Sequence, residues 1–399
     1  MNDFEKKVIE SMRFKEKQSI SLPERDIFLY NLNGLKLMTT GQADRLFCNS
    51  FLSEIVQLLI NSIFLYEDGY FDCAFYSIRQ ASEVGNNMLY LANKGKSELN
   101  TWNEKGYFPM NKKLIEELSK IDVAYSEIQV AISDFFKEYD ELIKKAHKII
   151  HKQGFDTFYG IRESYRLNKK FNREEERDFF LRILKYTIGM SIILFIVVDP
   201  ISLVLTDDDL SARFNFDPMT EPADVQFFND YLTKDIIAKI KSTPFFLDFS
   251  SYFANKEKML PSVFDVVRNQ AFDIDYLYEI KKQEHLISLY ERIILDILMA
   301  DVKLSRVYPD CSFMSCYFTS IKSNYIQSSW SSSEYEKYLQ YDEIFNGSYY
   351  NIYRSITKGL GENWILEHNE PLSEEKIKLI KSIFENYREA YEELSTLFS

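Results

Sequence analysis

Glycine and proline are scarce in this chain, at 12 and 9 of 399 residues, which argues against a fold built on many tight turns and suits helices. Cysteine is scarcer still. Cys48, Cys73, Cys311 and Cys316 are scattered, and the last two stand at a poor zinc spacing without a second Cys pair or a nearby His-x-His. Neither a zinc site nor a disulfide framework is expected, and buried reduced thiols are the better reading. Positive charge is also short, with 48 Lys and Arg against 61 Asp and Glu. At a net −13, non-specific binding to nucleic acid or anionic lipid is disfavoured, and any RNA role needs a local basic surface.

Long hydrophobic runs are missing too. The one membrane suspect, Tyr186 to Leu205, has its uninterrupted apolar part only from Ile192 to Val198, and Asp199-Pro200 breaks it. Because a span takes about 20 apolar residues, a buried core helix is the expected reading, with no membrane partner. Met1-Asn2-Asp3-Phe4-Glu5 lacks a basic region followed by an apolar run, so no secretory signal is read and a cytoplasmic location is expected. Gly359-x-Gly361 lacks a third glycine and a preceding strand, so it is no phosphate loop. The acidic run Asp207-Asp208-Asp209 can bind a divalent cation, but acids that cap helices are the commoner case. No cofactor and no metal are expected, and no complete catalytic motif is present.

What is present is helical periodicity. Phe51, Ile55, Leu58, Leu59 and Ser62 stripe one helix that breaks at Asp68-Gly69. Phe71, Ala74, Ile78, Ala81, Gly85, Met88 and Ala92 stripe a second, ended by Gly95. After a loop holding Gly106 and Pro109, the row Ile128, Ile132, Phe135, Tyr139, Leu142, Ala146 and Ile149 reads as one very long helix. Asn172 is a good N-cap for a fourth helix that starts acidic, turns apolar and ends at Pro200. The expectation is an all-α fold, an antiparallel four-helix bundle followed by a second helical region. Its parts are an N-terminal helix and lead-in over 1–44, the bundle with an acidic connector over 45–245, and a C-terminal helical, Tyr-rich region over 246–399. In that last part Ser373 caps the terminal helix.

The chemistry-bearing residues are few. His147 and His151 stand four apart on the long helix, a spacing that suits metal binding or acid–base work, although local third and fourth ligands are absent. Arg79 and Glu83 are one helical turn apart among Phe75, Ile78, Val84 and Met88. The plain reading of that pair is a surface ion pair. The sharper one notes that an Arg in apolar surroundings must be paired, with the long helix able to supply a partner.

The order Gly69-Tyr70, Arg79, Glu83, then Tyr139, Leu142 and His147 or His151 resembles HEPN-like helical domains of prokaryotes, over about residues 45 to 200. The resemblance implies an interaction or effector module in a bacterial phage-defence or stress system, with a protein partner or homodimer. It also implies an alternative: a metal-independent ribonuclease using Arg79 with His151 or His147. Ribonucleolytic relatives carry an Arg followed after roughly four to six residues by a His on one helix. This chain departs from that, since no Arg precedes any of its four histidines so closely, and Lys144 or Lys145 lacks the planar fork of Arg. The catalytic candidates are Arg79, Glu83, His147 and His151, provided packing brings Arg79 to a histidine.

Two further segments draw notice. Residues 142 to 185 hold Lys144, Lys145, Lys148, Lys152, Arg162, Arg166, Lys169, Lys170, Arg173, Arg177, Arg182 and Lys185, interleaved with Tyr159 and Tyr165. That region is a candidate RNA surface, with a solvated helix face as the plainer reading because Glu174, Glu175 and Glu176 sit among the bases. Tyr308 to Tyr353 is rich in tyrosine and poor in Lys and Arg, so core packing comes first and a protein-binding surface second.

Overall fold

The computed structural model describes residues 2–12, 20–106, 111–158, 173–216, 218–221, 224–309, 315–325 and 343–388. The chain divides into two compact units, one of Met1–Ser211 with Pro218–Asn255, the other of Ala212–Asp217 with Lys256–Ser399.

The first unit is helical. Its longer elements are α1 (Asp3–Met12), α2 (Arg25–Leu37), α3 (Phe47–Glu67), α4 (Phe71–Lys94), α5 (Lys96–Lys105), α6 (Asn111–Ile121), α7 (Val123–Ala131), α8 (Ser133–Ile150), α9 (Arg173–Val198), α10 (Val225–Tyr231), α11 (Lys234–Lys241) and α12 (Pro244–Ala254), with single helical turns at Ile201–Val204 and Asp208–Ser211. The expected stripes are buried. Ile55 and Leu59 of α3, Ile78 and Ala81 of α4, Ile128 of α7, Leu142 of α8 and Ile192 of α9 are all core residues. Helix α4 packs against α3, α8 and α9.

The side-chain links fix the directions. Phe75 meets Phe179 and Tyr66 stacks on Phe180 at 3.9 Å, while Asn93 Nδ2 donates to Asp122 Oδ2 at 2.6 Å. With Arg79 reaching His151, α7–α8 must run antiparallel to α4. Arg182 Nε donates to Glu138 Oε1 at 2.7 Å and Phe135 stacks on Tyr186, so α9 runs antiparallel to α8.

Two sequence expectations are corrected here. The one long helix is two, because Ile132 leaves helical geometry (φ −122°, ψ 40°) to bury its side chain, and Asp122 caps the first by accepting from Tyr125 N. The loop expected around Gly106 carries α5 and α6 on either side, with Gly106 closing α5 in a left-handed conformation; Pro109 lies outside the described residues.

Asp199, after the last turn of α9, is fully buried and shared by three donors. Gln42 Nε2 (2.9 Å), Thr220 Oγ1 (2.8 Å) and Ile201 N (3.2 Å) all bond to it, so the connector is tied to the lead-in by one carboxylate. Asp207 accepts from the backbone N–H groups of Asp209 and Leu210, as a capping acid does. Among the described residues two helices are long and apolar enough to cross a membrane, Phe47–Glu67 and Glu174–Val198, and 78% of the apolar window of the second is buried within the protein.

The second unit overturns the all-α expectation. Alongside α13 (Pro261–Asn269), α14 (Leu277–Lys282), α15 (Leu289–Met299) and α16 (Glu374–Asn386), it contains β1 (Ala271–Phe272), β2 (Arg306–Tyr308), β3 (Tyr317–Thr319), β4 (Ile344–Tyr349), β5 (Ile352–Gly359) and β6 (Glu362–His368). These strands form one mixed sheet in the order β1-β3-β2-β6-β5-β4, parallel only between β1 and β3. The Gly359-x-Gly361 pair is a hairpin: Leu360 and Gly361 both take positive φ, the turn that matches strand twist. The core joins Ile293, Ile294 and Ile297 of α15 with Ile380 and Phe384 of α16 and Trp364 and Leu366 of β6. Ser373 caps α16 by accepting from Lys376 N.

The strands escape a periodicity reading for a physical reason. β5 and β6 are buried on both sides along most of their length, so polar and apolar residues do not alternate. Polar Arg354, Ser355, Glu367 and His368 interrupt the apolar run, yet all four are buried.

Candidate active site

Arg79 and Glu83 lie on the same side of α4 because four residues make about one turn. Arg79 Nε donates to Glu83 Oε1 at 2.9 Å, and Nη2 stands 2.8 Å from the same oxygen. Both side chains are about three-quarters buried, at 25% and 23% exposure. The third contact comes from α8: Arg79 Nη1 lies 2.9 Å from His151 Nε2. A guanidinium can only donate, so Nε2 must accept, and the neutral ring carries its proton on Nδ1. His151 caps the C-terminus of α8 at φ −89°, ψ 9°, and its ring lies 4.1 Å from that of His147, one turn earlier.

The packing of α8 on α4 therefore assembles all four candidates. Burial lowers the pKa of His147, and the neighbouring His151 and Arg79 lower it further, against a smaller opposing effect of Glu83. A neutral imidazole beside a fixed cation can take up a proton, and the cation can hold an anion nearby. Arg79, Glu83 and His147 line a cleft of about 1150 Å³ between α4, α6, α7 and α8. His151 is exposed and outside its lining.

The sequence marks other residues of that cleft only faintly. Asn86 and Asn87 sit side by side in mid-helix, where asparagine is disfavoured, and that oddity marks a polar wall. Asn86 Nδ2 donates to Asn111 Oδ1 at 3.0 Å. Tyr139 and Leu142, which the resemblance sets near the histidines, are core residues, and burial raises the Tyr139 hydroxyl to about 12.

Neither Lys144 nor Lys145 takes the place of an arginine beside His151. Lys144 pairs with Asp140, and Lys145 lies over the Phe179 ring at 4.1 Å. Three other bases of the segment are paired as well: Lys152 with Asp72, Arg177 with Asp178 and Arg182 with Glu138. Lys148 and Lys185 are exposed, while Tyr159, Arg162, Tyr165, Arg166, Lys169, Lys170 and Asn172 lie outside the described residues, as does the Arg173 side chain. His285 forms an exposed pair with Glu257 at 2.7 Å in the second unit. His368 is buried there between Ser355 Oγ (2.8 Å) and Glu370 O (2.6 Å).

Among the described residues, no group of three His, Cys, Asp or Glu side chains is placed to hold a metal ion. Cys48 is buried, with its thiol pushed up to about 12 by that burial, but Cys73 is exposed, contrary to expectation. In the Tyr-rich segment, Tyr308 and Tyr317 are core residues and Tyr350 is exposed, while residues 326–342 lie outside the description. The Tyr349 ring covers the buried Arg354 guanidinium at 3.5 Å, and Arg354 pairs with the buried Glu367 at 2.8 Å.

Comparison with protein-family models, with curated proteins and with solved structures finds no match.

Proposed function

We propose that the chain is a cytoplasmic HEPN-like effector whose helical unit cleaves RNA by acid–base chemistry at Arg79, Glu83, His147 and His151. The observation that carries this reading is the 2.9 Å contact between Arg79 and His151, which joins residues 72 positions apart. It supplies by packing the Arg–His pairing that ribonucleolytic relatives encode within one helix.

Glu83 and His151 occupy three of the five guanidinium donors, leaving one on Nη1 and one on Nη2 for a phosphate. His147, held neutral, removes the proton of the ribose 2′-hydroxyl, whose oxygen attacks the adjacent phosphorus as the P–O5′ bond breaks. The expected products are a 2′,3′-cyclic phosphate and a 5′-hydroxyl, the leaving oxygen regaining a proton from the imidazolium or water. Side chains alone perform this route. By analogy with the family it resembles, the setting is a bacterial phage-defence or stress system, with a protein partner or a second copy.

The test uses the full chain with labelled single-stranded RNA in the presence of EDTA. Wild type is expected to cleave, and Arg79→Lys and His151→Ala to lose cleavage while keeping wild-type helix content. Equal cleavage by these variants, or its abolition by chelator, rejects the reading.

A second reading has its own support in the short Arg79–Glu83 pair, which also suits a strut within an interaction module. In that case wild type leaves RNA intact, and Arg79→Ala registers only as a lower melting temperature.

A further inference from the structure

The Arg79 cluster occupies only part of the cleft, and the remainder sets amides and an aromatic ring among Lys112, Glu116 and Lys137. Along α4 the row Arg79, Glu83, Asn87 continues at one-turn spacing, which sets Asn87 about 12 Å from Arg79 along the helix axis. Because α8 runs antiparallel to α4, with links at Arg79–His151 and Asn93–Asp122, Gln129 and Phe136 lie beyond Asn87, toward the Asn93 end of the cleft. Gln129, Phe136 and Asn111 line the same cleft. The Phe136 ring is half-buried and braced edge-to-face by Tyr125, with centroids 5.7 Å apart and planes at 83°.

Asn111 Oδ1 and Gln129 Oε1 already accept from Asn86 Nδ2 and Ser119 Oγ, so these amides offer chiefly their N–H groups, Asn87 offers a donor and an acceptor, and Phe136 offers a stacking face. That is how unstacked nucleobases are held and read. By the same helical rise Phe136, fifteen residues before His151, stands about 22 Å from the Arg79 contact, so the two ends of the cleft are separated by a few nucleotides of single strand, and the cleft exceeds the usual 300–1,000 Å³ range of small-ligand sites. We infer that the Asn87, Asn111, Gln129 and Phe136 end of the cleft is a nucleobase subsite, seating a base of the strand a few nucleotides away from the phosphate that Arg79 holds. This rests on the reading of the cluster as a phosphate site. The base can come from single-stranded RNA or from a free nucleotide, since both present the same ring and phosphate.

The experiment measures fluorescence anisotropy of the full chain with 2′-O-methyl oligo(U), oligo(C) and oligo(A), which lack the hydroxyl nucleophile. UMP, CMP and AMP serve as competitors, and cleavage of unmodified RNA is assayed in parallel. Wild type should prefer one base, Phe136→Leu should weaken that oligonucleotide about ten-fold, and Phe136→Tyr should restore it. Asn87→Leu should flatten the preference. Competition by a mononucleotide at the oligonucleotide's own concentration range assigns the subsite to free nucleotides, and its failure assigns it to RNA. Base-dependent binding lost in Phe136→Leu, without any cleavage, upholds the subsite and rejects the ribonuclease reading. Cleavage with no base preference, unchanged in a folded Phe136→Leu, overturns the subsite and leaves the ribonuclease reading standing. No saturable binding of any probe by wild type overturns the subsite as well.

Discussion

Arg79 of α4 donates through Nη1 to Nε2 of His151 at the end of α8, while Glu83 holds the other edge of the same guanidinium. The cation is thus the hinge pin between a carboxylate and an imidazole. Arg79→Ala leaves the three-quarters-buried Glu83 without its cation and should cost about 1 kcal/mol, the scale of a group deprived of its partner. In a unit of this size that lowers Tm by a few degrees. Arg79→Lys should recover most of the loss, because an ammonium can still face Glu83. A melting curve unchanged in Arg79→Ala would show that the pair contributes nothing.

His147 should titrate below the ordinary imidazole value of about 6.5. Its folded pKa lies below its unfolded one, so between the two the unfolded chain binds more protons and stability rises with pH. The contribution is complete above the unfolded value and is lost as pH falls through the folded one. Histidine NMR titration checks it, with His151→Ala expected to move the His147 midpoint upward as one lowering neighbour disappears. A midpoint at or above the ordinary value refutes the assignment of a base kept neutral.

The helical unit was legible because amphipathic helices bury one stripe, and the rows through Ile55, Ile78 and Ile192 repeat at three and four. The Arg79–Glu83 pair was legible as well, being local. Its meeting with His151 was not, since that depends on how α8 runs across α4, which no spacing encodes. The break at Ile132 was hidden because an isoleucine that leaves the helix while staying buried keeps the apolar rhythm. The sheet was hidden for a different reason. β1, β2 and β3 have two or three residues each, and β6 buries Trp364 through His368 in succession, so period two never shows.

Leu142 is buried in α8, a helix that packs against both α4 and α9. Leu142→Ala should destabilise the helical unit by about 2–4 kcal/mol through lost transfer energy and residual cavity. Chemical denaturation followed by far-UV circular dichroism gives the value. A loss near zero would mean the side chain is not packed as described.

Gly359, at the end of β5, lies against the ring of Phe384 on α16, and a methyl group added there would overlap ring carbons Cδ1 and Cε1. Phe384 is itself buried, so it has little room to retreat. Gly359→Ala should cost about 1–3 kcal/mol as overpacking. Phe384→Leu in the same background should recover part of it, a coupling that a double-mutant cycle reads directly. Simple addition of the two single effects would argue against the contact.

The last expectation concerns salt. The described bases of the 142–185 segment are largely committed to partners within the protein: Lys144 to Asp140, Lys152 to Asp72, Arg177 to Asp178 and Arg182 to Glu138. A net charge of −13 opposes RNA further. Phosphate contact in the cleft then falls to the two remaining donors of Arg79, with Lys112 and Lys137 also among the lining bases, so one or two phosphates are neutralised on binding. For single-stranded RNA that predicts a slope of log K against log salt of roughly −0.7 to −1.4. Arg79→Gln should bring the slope toward zero while Lys148→Gln and Lys185→Gln change it little. A steep slope that survives Arg79→Gln and collapses in the lysine variants would place the RNA on the outer basic face and not in the cleft.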